Sequence, residues 1–177
     1  MQLILLMKRL KVEECCGSNY ISILFFMAEI ITNKDSLSPE IVSLLNEALK
    51  VSENSYNKYS GFSVGAAVRT KSGRVYTGTN MENASFGLSI CAEPAAIMNA
   101  NSNGDFDIEA IAIVGGFKGV AGQQPPSPCG RCRQIIHEAS QVSRKDIDVY
   151  CSNFEFSETL VTTIEELLPF AFILNKK

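Results

Sequence analysis

Tryptophan is missing from the 177 residues, histidine occurs once, and neither sign of charge dominates. Each scarcity excludes something. With His137 as the single histidine, a metal site cannot be built from imidazoles and must rely on thiolates or carboxylates. Sixteen Lys and Arg against 19 Asp and Glu leave a net charge of −3. That offers no basic field to a polynucleotide or an anionic membrane. Long apolar runs are also missing. A membrane helix needs about 18–20 consecutive apolar residues, and the nearest candidate, residues 21–31, is broken by Ser22 and Glu29. Residues 1–26 lack the charged, apolar, small-residue order of a signal peptide. The sequence therefore predicts a soluble, cytoplasmic protein with no nucleic-acid and no membrane partner.

What is present fits a folded chain. Apolar residues make up 46% and charged residues 20%, a globular balance. A chain of this length buries roughly two-thirds of its unfolded surface in one core. Residues 1–35 mix short apolar runs with Cys15 and Cys16 and show no period. They read as an N-terminal extension, and one reading places the true start at Met27. The domain is expected to occupy residues 36–177. Ser38 and Pro39 suit a helix N-cap and first position. Ile41, Leu44, Leu45, Ala48 and Leu49 then recur at helical spacing, with the helix ending near Asn54. Residues 62–69 and 74–79 read as a strand pair and 90–101 as a second helix. Residues 108–114 read as a buried strand, 129–140 as a third helix and 147–151 as another strand. A last strand and a short helix at 164–168 close the chain. Residues 115–128 form a long loop rich in Gly and Pro, the kind that carries function. Strands alternating with helices predict an α/β fold, a three-layer α/β/α domain with a central mixed sheet.

Chemistry concentrates in two short segments, Cys91-Ala92-Glu93 and Pro128-Cys129-Gly130-Arg131-Cys132. Taken alone, a Cys-x-x-Cys fits a redox pair or half of a structural zinc site equally well. Together, at two predicted helix starts, Cys91, Cys129 and Cys132 can hold one Zn²⁺, because helix N-termini favour thiolates. Three protein ligands leave the fourth tetrahedral position open, as in catalytic zinc sites. Glu93 stands close enough to move protons without ligating the metal. Cys151, at a strand end, reads as a small buried apolar residue, and His137 as structural.

These segments resemble the signature of the zinc-dependent deaminases, in the variant whose metal ligands are all cysteines. The stretches 59–67 (Tyr-Ser-Gly-Phe-Ser-Val-Gly-Ala-Ala), 78–86 (Gly-Thr-Asn-Met-Glu-Asn-Ala-Ser-Phe), 127–134 and 166–169 are similar to those of the free-nucleoside cytidine deaminases. The likeness runs from about residue 38 to 172, and the all-cysteine ligand set points to the small homotetrameric branch. The resemblance implies Zn²⁺ on Cys91, Cys129 and Cys132, with Glu93 carrying protons. It implies Asn80 and Glu82 on the ribose 3′-hydroxyl and Phe62 packed on the nucleoside. It places the Ala92 N–H on the base O2 and the Ser127 carbonyl on the amino group. Phe172 would cover a neighbouring subunit's site. Without the resemblance, Phe62 and Phe172 read as core aromatics and Asn80 and Glu82 as turn or surface residues.

The chain departs from the family pattern at Pro94, where an Arg that offsets the thiolate charge is usual, and at Phe86, where Tyr is frequent. Arg131 and Arg133 are the nearest substitutes, and one of them, Arg131 ahead, is expected to reach a ligand sulfur. The implied activity is deamination of cytidine and deoxycytidine. A deaminase of aminopyrimidine nucleoside antibiotics such as blasticidin S and a non-catalytic zinc-binding homologue are the alternatives.

Overall fold

The computed structural model describes residues 28–174. The reading of residues 1–26 as an extension, Cys15 and Cys16 included, lies outside the described residues. Helix α1 (Pro39–Ser52) starts as its sequence dictates, with Pro39 at the first position and the Ser38 hydroxyl accepting from the Ile41 N–H. It buries Leu44, Leu45 and Ala48. Strands β2 (Phe62–Thr70) and β3 (Val75–Thr79) form the expected hairpin. Helix α2 (Ala92–Ser102), strand β4 (Ile108–Phe117), helix α3 (Gly130–Ser143), strands β5 (Asp148–Ser152) and β6 (Thr159–Thr163), and the single-turn α4 (Ile164–Leu167) follow.

One element precedes them. Strand β1 (Glu29–Ile31) pairs antiparallel with β6 at the sheet edge. By sequence these residues fall in the N-terminal extension, and the sheet instead begins within it. Three residues are too few to show a period, and their pairing partner lies some 130 positions away.

The sheet order is β1-β6-β5-β4-β2-β3. Only β4 and β5 run parallel, joined through α3, so the sheet is mixed as expected. Both faces are covered. In β4, Ile111 and Ile113 face the layer of α2 and α3, while Ala110, Ala112 and Val114 face α1. A strand buried on both sides reads as a continuous apolar run rather than an alternation, which is how residues 108–114 look. Gly78 lets α2 close on β3, since a Cβ there would fall inside the Ala96 backbone. That close approach fixes where the start of α2 lies, and with it Cys91 and Glu93. Among the described residues, no helix is long and apolar enough to cross a membrane.

The hairpin turn is tied down far from the site. Asp105, buried just after α2, accepts from the Thr70 and Ser72 hydroxyls at 2.8 Å each and pairs with Arg74 at 2.9 Å. Burial alone would raise its pKa. The hydroxyls of Ser72 and Thr70, the Arg74 guanidinium and the Tyr76 hydroxyl together hold it below the usual value. A carboxylate with a depressed folded-state pKa stabilises fully above its unfolded pKa, and the benefit fades as pH falls through the folded value. Asp105→Asn is therefore expected to lower the melting temperature at neutral pH, with the deficit closing on acidification. Thermal unfolding across the acidic range checks this, and a deficit independent of pH would contradict it.

Candidate active site

The two cysteine segments end up side by side because β3 and β4 run in the same direction and each strand-to-helix connection therefore leaves the same end of the sheet. Cys91 is the N-cap of α2 and Cys129 the N-cap of α3, both with extended backbone (ψ 163° and 166°). Both stand at helix starts as the sequence predicts, at the positive end of the helix where backbone N–H groups have no helical partner. Cys132 lies one turn into α3 and is fully buried. The three sulfurs all lie within 4.8 Å of one another.

The thiols are electrostatically linked. Hydrogen bonding from Cys132, and more weakly from Cys129, outweighs burial and the Glu93 carboxylate, and brings the Cys91 thiol down to about 7. The same contact, with burial, pushes the Cys132 thiol up. A cluster of three converging soft donors, one of them close to ionisation at neutral pH, is chemically matched to Zn²⁺.

Glu93 sits in the first turn of α2 and is only 5% exposed. Burial pushes its carboxyl up, partly opposed by its own backbone N–H and the Cys132 thiol. A carboxyl raised in this way holds a proton more readily than a free one, which suits a group that takes up and returns protons.

A cleft of about 320 Å³ opens over these groups, a size suited to a small organic molecule. Cys91, Ala92, Glu93 and Cys129 line its floor, and Phe62, Asn80, Glu82 and Ser127 its walls. Three of the wall residues, Asn80, Glu82 and Phe62, are tied down. Asn80 Oδ1 accepts from the Ser55 hydroxyl and from the Val64 N–H, and its Nδ2 donates to the Phe62 carbonyl. One amide hydrogen of Asn80 is left to donate. Glu82 accepts from the Tyr59 and Ser60 N–H groups at 2.7 and 3.2 Å. The Ser60 hydroxyl first, then these amides, hold its carboxyl below the usual value, so it is an ionised acceptor. Phe62 stacks edge-to-face on Phe117 at 5.0 Å.

Phe172 lies outside this cleft. Its ring is 70% exposed, and its backbone is gripped by Gln134 through two hydrogen bonds, of 3.1 and 2.9 Å. Ser60, Ser89, Ile90 and Pro126 also line the cleft and were missed in the sequence. Ser60 was findable, since it sits in the Tyr59–Gly65 segment already singled out.

The arginines are placed differently from what the sequence leads one to expect. Neither guanidinium hydrogen-bonds a ligand sulfur. Arg133 donates to the Pro128 carbonyl, the Ser127 hydroxyl and the Leu167 carbonyl. Its three guanidinium nitrogens each donate once, two into the 127–128 loop and one to the end of α4, so the side chain is turned away from the sulfurs. Arg131 is exposed and reaches Cys91 only through a weak long-range attraction. Pro94 is buried in the first turn of α2 and donates nothing, so the sulfurs rest on the two helix starts.

A three-cysteine cluster beside a buried carboxyl, at the helix starts of an α/β/α sandwich, defines a metal-dependent hydrolytic site. Residues 39–146 match the family described as the cytidine and deoxycytidylate deaminase zinc-binding region. The cytidine deaminase of Halalkalibacterium halodurans is 43% identical over 129 residues, covering 73% of this chain and 91% of that protein. A probable cytidine deaminase of Dictyostelium discoideum is 33% identical over 133 residues, covering 75% of this chain and 84% of that one. The crystal structure of a cytidine deaminase from Burkholderia pseudomallei superposes with a TM-score of 0.66 at 36% identity. It covers 77% of this chain and all of that one. The chain belongs to the cytidine and deoxycytidylate deaminase family.

Proposed function

We propose that the protein hydrolyses the exocyclic amino group of cytidine and deoxycytidine, releasing ammonia and leaving uridine or deoxyuridine. The observation that carries this reading is one cleft with the sulfur cluster and Glu93 at its floor and the Asn80–Glu82 pair on its wall. The floor suits hydrolysis of a C–N bond and the wall suits a sugar hydroxyl.

Cys91, Cys129 and Cys132 would hold Zn²⁺, which would supply Lewis-acid chemistry when bound. Glu93 would take up a proton from the attacking water at its carboxylate and deliver it to the pyrimidine N3. It then carries the second proton to the amino nitrogen, which leaves as ammonia. The N–H of Ala92 holds the base O2, and the Ser127 carbonyl accepts from the amino group. Asn80 donates its remaining amide hydrogen to the ribose 3′-oxygen, while the Glu82 carboxylate accepts the hydroxyl proton. Their hydrogen bonds to residues 55–64 fix both groups in these roles before substrate arrives. Phe62 packs on the nucleoside. Arg133 holds the Ser127 wall through its hydroxyl, and Arg131 contributes only diffuse positive charge. A site of free thiolates suits a reducing compartment such as the cytoplasm. One assay tests the reading: the zinc-loaded protein is given cytidine, deoxycytidine and blasticidin S side by side. Turnover of the first two supports it, and turnover of blasticidin S alone overturns it.

The working unit is a homotetramer in which Phe172 covers the site of a neighbouring copy. Phe170, Phe172 and Leu174 are 95%, 70% and 74% exposed in the single chain, and a contiguous apolar tail of this kind marks an interface. Gln134 holds the Phe172 backbone so that the ring projects outward. Gln134→Ala is expected to raise KM several-fold and weaken the tetramer. Light scattering and steady-state kinetics check both, and a fully active wild-type monomer would refute the shared site.

A further inference from the structure

The loop between β4 and α3 contains no regular structure, yet one side chain locks it. Strand β4 ends at Phe117, and Gly119 (φ +79°) turns the chain so that the Val120 N–H donates to the Phe117 carbonyl at 3.2 Å. Gln123 then folds back over this turn. Its Oε1 accepts from the Phe117 N–H at 2.7 Å. Its Nε2 donates to the carbonyls of Phe117 at 2.9 Å and Val120 at 2.6 Å. From the other side, Asn153 donates to the Gln123 backbone carbonyl at 2.8 Å. Asn153 is 1% exposed and is itself fixed by Ser157. The Gln123 side chain and backbone are thus bound to the ends of two neighbouring strands.

Gly116 makes room for this. A Cβ at Gly116 would lie 2.9 Å from Nε2 and 3.1 Å from Oε1 of Gln123, with only that side chain as its nearest neighbours. Any larger residue would displace the amide.

Two walls of the cleft hang on the lock. On one side, Phe117 stacks edge-to-face on Phe62. On the other, Gln123 is followed by Gln124-Pro125-Pro126-Ser127-Pro128-Cys129. Three prolines fix φ along this stretch, so displacement at Gln123 passes on to Pro126 and Ser127 rather than being absorbed. Phe62, Pro126 and Ser127 all line the cleft.

We propose that Gln123, seated on Gly116, is a positioning residue that sets the separation of the Phe62 and Ser127 walls and thereby the affinity for the nucleoside. The proposal rests on the deaminase reading for its kinetic consequence. Walls that hold the substrate and the transition state alike contribute uniform binding, whose loss raises KM and leaves kcat.

The test uses the zinc-loaded full chain. Gln123→Ala is expected to raise KM for cytidine about tenfold, with kcat within about twofold and zinc content unchanged. Gln123→Glu keeps the acceptor for the Phe117 N–H but turns a carboxylate oxygen against the Phe117 and Val120 carbonyls, so its KM should rise at least as far as that of Gln123→Ala. Gly116→Ala, with Gln123 intact, should reproduce the KM rise. The double variant should be no worse than Gln123→Ala alone, because the added methyl then meets empty space. Amide hydrogen exchange supplies a readout that does not need turnover. Exchange across residues 117–129 should quicken in Gln123→Ala and Gly116→Ala, with α1 unaffected. Unchanged KM and exchange in Gln123→Ala, additive effects in the double variant, or a loss of kcat that tracks zinc loss would each overturn the proposal. If the wild type does not turn over cytidine, the deaminase reading fails, and the exchange experiment still decides whether the lock exists.

Discussion

Glu93→Gln is expected to keep its zinc and lose about 10²–10⁴-fold in kcat, the usual contribution of a general acid–base group. The substitution changes no volume and leaves α2 intact, so the three cysteines stay where they are. It removes the only carboxylate placed at the cleft floor. Glu93 is almost wholly buried and its carboxyl is pushed up by that burial, which suits a group that must accept and release a proton in one turnover. An amide can do neither. Because the protons move only as the C–N bond is broken, kcat and kcat/KM should fall together while KM stays nearly constant. Metal analysis beside the kinetics separates this from a simple loss of the site. A near-normal rate with zinc bound would show that protons travel by another path, and Glu93 would then be a buried structural carboxylate.

The parts of this site that could be read from sequence are those where chemistry demands particular residue types at short range. Cys91 and Glu93 are two apart, and Cys129 and Cys132 three apart, each beside a helix start. The layers were equally legible, since the apolar face of α1 and the doubly buried β4 carry their own patterns. Other features depend on contacts distant in sequence. Strand β1 is defined only by β6. Arg133 turns to α4 because the Leu167 carbonyl is there to accept, and nothing in the motif announces that. Gln123 looks in the sequence like one polar residue in an unusual loop, and its role emerges only from its hydrogen bonds to residues 117 and 120 and its seat over Gly116. Asn80 and Glu82 were identified through a resemblance, and the structure adds why they are rigid: both are tied to residues 55–64, on the far side of the hairpin.

Cys129→Ala should abolish stoichiometric zinc. Of the three cysteines it gives the cleanest test. Cys132 is fully buried, so its truncation would open a cavity and confuse metal loss with unfolding, whereas Cys129 is exposed. As the N-cap of α3 it makes no side-chain cap hydrogen bond, so alanine at this position costs the helix little. Two thiolates remain, and two ligands do not hold Zn²⁺ against exchange at the affinity of three. Metal content measured after dialysis should fall from about one per chain in the wild type to near zero, with activity lost in parallel. Thermal unfolding gives a second, independent readout. A ligand that binds only the folded state raises its stability by mass action. Added Zn²⁺ should raise the melting temperature of the metal-stripped wild type and leave that of Cys129→Ala where it is. Full zinc retention by the variant would place the metal elsewhere and remove Cys129 from the ligand set.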